Sequence, residues 1–373
     1  MTLRLLFLAS LLAFGLIVPP DHSAAASKTF AGKRIIFEED VLRWASKEAA
    51  DEALARIRIA GFTAFSPVVW HGRGATWPSN YAEWDDWLKD HPKQSYDPLK
   101  YLIDRAHEMG IEVHPWFTLT LREEDFLPQF APPGTPQGAW DVHMPEFRHF
   151  MANLIAEVVI RYNVDGINLD YVRAVGLCTS NFCQADYEKR YGRNLLLDTA
   201  FFKMTLGRMP TLVEYQESDV TALVQEISQR IRAIKPNIVI SADVIPLIAG
   251  TEQGQNSIDW ANKGLVDVLC RMAYYRDIDA NLTDKIRGLL RNPDALTIVI
   301  SNVSISEEMV TPTSFYSRDG KWFADTINNI LQRWPQTGLG VYEYKWLSDE
   351  QITAINAGRF KPSPPMPMGL QVK

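Results

Sequence analysis

Asp97-Pro98-Leu99-Lys100-Tyr101-Leu102-Ile103-Asp104-Arg105-Ala106-His107-Glu108-Met109-Gly110-Ile111-Glu112-Val113-His114-Pro115-Trp116-Phe117-Thr118 holds a helix, a stop and a strand in immediate succession. Asp97 offers a side-chain acceptor to the free N–H groups of a helix start. Pro98 suits the first helical position, where its missing N–H costs nothing. Leu99, Leu102, Ile103 and Ala106 then recur on one helical face. Gly110 ends the helix, and Ile111–Thr118 is a short apolar strand.

The same unit repeats on both sides. Upstream, Arg34–Phe37 is a first strand, and a helix over 45–60 opens near Ser46, buries Ala50, Ala53, Leu54, Ile57 and Ala60, and stops at Gly61 before the strand Thr63–Trp70. Downstream, Pro145 opens a helix with Phe147, Phe150, Met151, Leu154, Ile155 and Val158 on one face. Asn163 ends it, and Gly166–Val172 follows. Ser218 is placed to cap a helix carrying Val220, Leu223, Val224, Ile227, Ile231 and Ile234, before the strand Ile238–Val244. Helices near 258–262, 279–291 and 322–334 precede strands Val266–Tyr275, Leu296–Val303 and Gly338–Tyr344. Ser348 caps a last helix to about Asn356.

Apolar strands separated by helices make a parallel sheet covered on both faces. Eight strands, with polar residues at nearly every C-terminal end, predict a closed α/β structure, the (β/α)8 TIM barrel. No glycine-rich phosphate loop follows any strand, which argues against a nucleotide-binding sheet. Long connections, 71–97 after the second strand and 173–217 after the fourth, are expected to shape a substrate cleft.

The chain has 373 residues and is 46% hydrophobic, enough for one large barrel with insertions. Its formal net charge of -7 gives it nothing to gain from nucleic acid or an anionic membrane surface. Arg4 followed by the apolar run Leu5–Val18 and Ala24-Ala25-Ala26 has the layout of a signal peptide over 1–26, too short for a comfortable span. The protein is therefore expected to be exported, periplasmic or extracellular, with a barrel over 27–360, a Pro-rich tail over 361–373 and no membrane span after cleavage. In an oxidising compartment, Cys178 and Cys183 are close enough in sequence to pair. Cys270, inside an apolar strand, is expected to be a buried free thiol. No cofactor or metal is implied, because zinc needs about four ligands and the Cys178–Cys183 loop supplies two obvious ones.

The candidate chemistry centres on Val164-Asp165-Gly166-Ile167-Asn168-Leu169-Asp170-Tyr171-Val172-Arg173. Asp165 and Gly166 make the entry turn, and the strand carries Asp170 to its tip. A carboxylate there points into a barrel mouth, where it can attack an anomeric carbon or stabilise the charge developing on it. Arg173 is placed to keep it ionised; the plain alternative is a structural Asp170–Arg173 pair. Trp70, Trp116, Tyr274, Tyr275 and Tyr344 fall near strand tips and are candidates for stacking on sugar rings. His71 and His114 end neighbouring strands and are candidates for binding hydroxyls. Arg73 is a candidate for a hydroxyl or an acidic sugar group, with a loop salt bridge as its alternative.

These segments, with Gly61-Phe62, Val68-Val69-Trp70-His71-Gly72-Arg73-Gly74, Tyr96-Asp97-Pro98-Leu99, Ala106-His107, Glu112-Val113-His114-Pro115-Trp116-Phe117 and Ile238–Asp243, resemble the glycosyl-hydrolase-like 10 family. That family is a glycoside-hydrolase group related to the α-amylase superfamily barrels, and the resemblance runs from about Arg34 to Gln351. It implies that Asp170 takes the place of the catalytic carboxylate after strand four and that His114 lines the adjoining sugar subsite. Amylase-type barrels carry a Glu acid after strand five. Here that strand ends Ser241-Ala242-Asp243-Val244, leaving Asp243 and, at the tip of strand eight, Glu343 as candidate acids. The expected function is hydrolysis of a polysaccharide or oligosaccharide. The alternatives are a carbohydrate-binding barrel without turnover, and a metal-dependent deacetylase-like hydrolase using His71 and His114. The sequence does not fix the oligomeric state.

Overall fold

The computed structural model describes residues 28–89, 96–205, 209–247, 253–304, 315–358 and 360. The expected signal peptide and Pro-rich tail lie outside the described residues. Eight strands close into a barrel: β1 (Arg34–Glu38), β2 (Ala64–Trp70), β3 (Glu112–Val113 and Trp116–Thr118), β4 (Gly166–Asp170), β5 (Val239–Val244), β6 (Val268–Met272), β7 (Leu296–Ser301) and β8 (Gly338–Tyr342). Every neighbouring pair is parallel, and β1 pairs with both β2 and β8, which closes the ring. The strand β3 is interrupted at His114-Pro115 because Pro115 has no N–H for the ladder. The His114 N–H still donates to the Phe65 carbonyl (2.9 Å), and the Ser66 hydroxyl donates to the His114 carbonyl (2.8 Å).

Two hydrophobic layers result. Ile35, Phe37, Val68, Trp116, Val268, Cys270 and Val299 pack inside the barrel, and a larger layer lies between strands and helices. The helices start where the sequence signals them. Ser46 accepts from the Ala49 N–H (3.0 Å), and Asp97 from Lys100 (3.0 Å) ahead of Pro98–Glu108. Ser348 and Gln351 form a capping box ahead of Asp349–Asn356. One start was misplaced. The helix expected to open at Ser218 runs from Pro210 to Ile234, and Ser218 lies inside it, its hydroxyl donating to the Tyr215 carbonyl (2.9 Å). Pro210 at the first helical position was the signal passed over.

The connection after β4 folds into its own small layer. Helices Asn181–Tyr191 and Leu195–Met204 join the start of Pro210–Ile234 around Cys178, Cys183, Tyr187, Leu195, Phe202, Leu212 and Tyr215. Cys178 and Cys183 are disulfide-bonded, with Cα atoms 6.2 Å apart, and Cys270 is a buried free thiol, both as expected. The connection after β2 does not border the cleft among the described residues. It is held against the helix Pro145–Arg161, whose buried Glu157 accepts from Trp77 Nε1 (3.0 Å), Ser79 Oγ (2.6 Å) and the Asn80 N–H (2.8 Å). No helix among the described residues is long and apolar enough to cross a membrane.

Candidate active site

The C-terminal ends of the strands surround a cleft enclosing about 500 Å³, solvent-open space included. Asp170, Asp243, Glu39, Trp116, Tyr171, Arg173, Tyr274 and Tyr342 contribute to its wall.

Asp170 is the last residue of β4 and only 6% exposed. The chain turns sharply after it. Tyr171 takes a left-handed conformation (φ 46°), uncommon for a residue with a Cβ. That turn aims the Tyr171 N–H at Asp170 Oδ1 (2.6 Å). The Thr120 hydroxyl pins it from behind, lying 2.7 Å from the Tyr171 carbonyl and 2.8 Å from that of Arg173. Burial pushes the Asp170 carboxyl up to about 6, against the Tyr171 N–H and the charge of Arg173, which favour the anion. The Trp116 indole N–H, which has no hydrogen-bond partner among the described residues, also favours the anion. The Arg173 guanidinium lies over the Tyr171 ring, 4.4 Å from its centre.

Asp243 is one strand away on β5, and Asn168, two residues before Asp170, reaches across to it (Nδ2 to Oδ1, 3.1 Å). The neighbouring charge on Asp243 is Asp170 itself. Burial first, and then that charge, hold Asp243 protonated well above the ordinary carboxylate range. The Cys270 thiol, in register with Asp243 on β6, is its other polar neighbour.

Besides Tyr171, the rings at the mouth are Phe37, Trp116, Tyr274 and Tyr342. Tyr274 stacks on Tyr342 (5.2 Å between centres, 25° between planes), and Trp116 stands edge-on to Tyr342 and Phe37. The Tyr342 hydroxyl donates to Glu39, and the His71 Nε2 is 3.5 Å from Glu39 Oε1. His71 Nδ1 meets Thr118 Oγ1 (3.0 Å), and burial lowers its affinity for a proton.

Of the residues singled out in the sequence, Asp170, Asp243, Trp116, Arg173 and Tyr274 border the cleft. His71 sits behind Glu39. The others lie elsewhere. His114 is fully buried near the foot of the barrel, its ring edge-on to Phe30 and its Nε2 3.0 Å from Glu112 Oε2. The strand resumes in unchanged register beyond Pro115 and runs on to Thr118, so His114 lies well below the tip. It meets neither the cleft nor His71. Trp70 is fully buried on the outer face of β2, stacked on Trp140 (5.8 Å, 23°). Arg73 forms the loop salt bridge, to Asp85 (3.0 Å), with its guanidinium over the Trp87 ring at 3.8 Å. Tyr344 packs edge-on to Phe65, and Tyr275 is 65% exposed without bordering the cleft. Glu343 is buried beside the cleft wall but does not border it. It pairs with Lys345 (3.1 Å) and accepts from the Glu39 N–H (3.2 Å).

The sequence reading missed Glu39, Tyr171 and Tyr342. Glu39 carried the same signal as Asp170, a carboxylate at a strand's C-terminal end. Asp165 is structural, as expected: its Oδ2 accepts from the Val113 N–H and from His107 Nε2, both at 2.8 Å.

A closed parallel barrel with carboxylates and aromatic rings gathered at its C-terminal mouth is a (β/α)8 TIM barrel with its cleft at the face where such barrels carry their active sites. The chain belongs to the glycosyl hydrolase-like 10 family, whose model matches residues 35–130 and 134–294. It is 24% identical over 244 residues to glycosyl hydrolase DigH of Escherichia coli strain K12, covering 54% of this chain and 52% of DigH. It is 25% identical over 236 residues to glycosyl hydrolase YngK of Bacillus subtilis strain 168, covering 54% of this chain and 44% of YngK. The chain thus spans about half the length of the curated relatives it matches. The catalytic domain of β-amylase from Paenibacillus polymyxa superposes with a TM-score of 0.58 at 11% identity, over 89% of this chain and 99% of that one. The PgaB (BpsB) glycoside hydrolase domain from Bordetella bronchiseptica gives 0.56 at 10% identity, over 86% and 95%. These two likenesses are of fold.

Proposed function

We propose that the protein hydrolyses a glycosidic bond of a polysaccharide or oligosaccharide, with Asp170 as nucleophile or charge stabiliser and Asp243 as general acid. One observation carries this reading. Two buried carboxylates on adjacent strand tips border one cleft in unlike surroundings. Asp170 has an N–H and two nearby donor side chains that favour its anion. Asp243 has mainly the Asn168 amide and faces the charge of Asp170. Such a pair loses its first proton to leave Asp170 charged and Asp243 protonated, the division of labour that glycoside cleavage requires. Asp243 then protonates the leaving oxygen while Asp170 meets the positive charge at the anomeric carbon. The stacked Tyr274 and Tyr342 offer a flat surface to the C–H face of a sugar ring.

The test compares Asp243→Ala and Glu343→Ala on aryl glycosides with good and poor leaving groups. Loss of the acid is expected to slow the poor leaving group by about 10²–10⁴-fold and the good one far less. If Glu343→Ala shows that selective loss and Asp243→Ala does not, the two roles are exchanged. A carbohydrate-binding barrel without turnover would bind glycans and release no reducing ends. The deacetylase-like alternative loses its geometric basis, because His71 and His114 lie at different levels of the barrel.

A further inference from the structure

Four buried side chains from two rim connections converge beside the mouth. Asp141 and His143 come from the connection after β3, Cys178 and Cys183 from the connection after β4. Each offers one donor atom, and the four atoms all lie within 4.8 Å of one another. None of the four residues is more than 4% exposed. We propose that these residues form a structural zinc site, closed by the two cysteines as thiolates, and that the disulfide is the oxidised, metal-free state of the same cluster.

The surroundings of Asp141 motivate the proposal. Its Oδ1 accepts from the His143 N–H (3.0 Å) and lies 2.9 Å from His143 Nδ1. Its Oδ2 lies 3.3 Å from both Cys178 Sγ and Cys183 Sγ, with the Ser180 hydroxyl at 3.4 Å. A disulfide sulfur carries no proton, so in the bonded state neither sulfur donates to that oxygen. A fully buried carboxylate oxygen set against two sulfurs is poorly satisfied. A divalent cation held among the four donors satisfies it directly.

The donor set fits zinc. Two sulfurs, one imidazole nitrogen and one carboxylate oxygen make a tetrahedral, closed site of the kind zinc takes in structural roles. With Zn–S bonds of about 2.3 Å, tetrahedral geometry needs the sulfurs about 3.8 Å apart, a small side-chain movement from the bonded state. The ligands are held in advance. The His143 ring stacks on Tyr215 (4.4 Å, 21°). The Asp141 N–H bonds the Phe130 carbonyl (2.7 Å). Cys183 lies in the first turn of Asn181–Tyr191, where Ser180 caps its N–H (3.1 Å) and the helix end favours negative charge. The loaded cluster carries one net negative charge. Arg148 lies next to it, its Nη1 bonding the Val142 and His143 carbonyls at 2.8 and 2.9 Å.

The interconversion is a balanced two-electron step. A dithiol reductant opens the Cys178–Cys183 bond, supplies two electrons and two protons, and leaves as its own disulfide. Zn²⁺ then displaces the two thiol protons. The site ties the layer around Tyr187 and Tyr215 to the connection after β3. Arg173, at the cleft, lies five residues before Cys178.

The experiment uses the full chain reduced with a phosphine and titrated with Co²⁺ as the spectroscopic probe. One equivalent is expected to bind, with thiolate-to-cobalt charge-transfer absorption and the strong visible bands of a tetrahedral site, and Zn²⁺ should displace it. His143→Gln and Asp141→Asn are each expected to weaken binding by about 100-fold or more. Both variants can be folded with the disulfide intact before reduction, so metal loss is read on folded protein. Reduced wild type that is folded by circular dichroism but takes up no Co²⁺, or takes it up without thiolate absorption, overturns the proposal. So does wild-type affinity in both variants, which would reduce the cluster to a dithiol pair.

Discussion

In the proposed function, Asp170 serves chemistry at the expense of stability. Its folded-state pKa of about 6 lies above its unfolded value, so its protonated form stabilises the fold. That contribution is complete at about pH 4 and is lost as pH rises through about 6. Asp170→Asn removes the ionisation and keeps an acceptor for the Tyr171 N–H. The variant is expected to lose turnover by about a thousand-fold or more. It should also be more stable than wild type by about 1–3 kcal/mol at pH 7.5, with little difference at pH 4. Thermal melts at the two pH values, alongside reducing-end release, check both outcomes; equal stability at pH 7.5 would deny the burial cost. In wild type, activity is expected to rise with an acid limb near pH 6, as Asp170 ionises, and to fall at higher pH as Asp243 loses its proton. Asp170 was legible in the sequence because a lone carboxylate ending an apolar strand has few other reasons to be there. Tyr171 was not, because nothing in its identity announces a left-handed backbone. Glu343 was misleading because its carboxylate is taken up by Lys345 and the Glu39 N–H, partners that its place at a strand end does not announce.

At the scale of elements, helices were easier to place than strand ends. Caps and stops are local chemistry, and Ser46, Asp97 and Ser348 act where the sequence puts them. Which strand residue reaches the mouth depends on neighbours far along the chain. His114 and Trp70 were both assigned to the sugar site from their distance along a strand, and both turned out to be packing residues. Gly166 shows the cost of such packing: a Cβ there would collide with His114 Nδ1. Gly166→Ala is therefore expected to destabilise the protein by about 1–3 kcal/mol. His114→Ala should remove the part of that cost owed to the ring in the double variant, read by urea denaturation, and leave the part owed to the Val239 carbonyl, 2.9 Å from such a Cβ; fully additive losses would place all of the strain away from His114. Trp70→Ala should cost about 3–5 kcal/mol of stability through the cavity it leaves, with KM for any cleaved glycan unchanged. A raised KM at full folding would return Trp70 to the substrate.

For the whole molecule, the recurring helix–stop–strand unit was sufficient to specify a closed barrel, because eight buried parallel strands have few other ways to cover both faces. The small layer after β4 was not legible, since its helices carry no strand to mark the period. Export is a further expectation at this scale: N-terminal sequencing of the mature protein should begin at Ser27, and a mature form retaining Met1 would refute it. The foot of the barrel has a practical consequence. Phe30 covers His114, Lys33 pairs with Glu112 (2.7 Å) and Lys28 reaches the Pro236 carbonyl (2.6 Å), all at the end opposite the cleft. A surface tether attached at Lys28 would therefore hold every molecule with its mouth turned toward the liquid, so an immobilised layer should keep every cleft clear of the support.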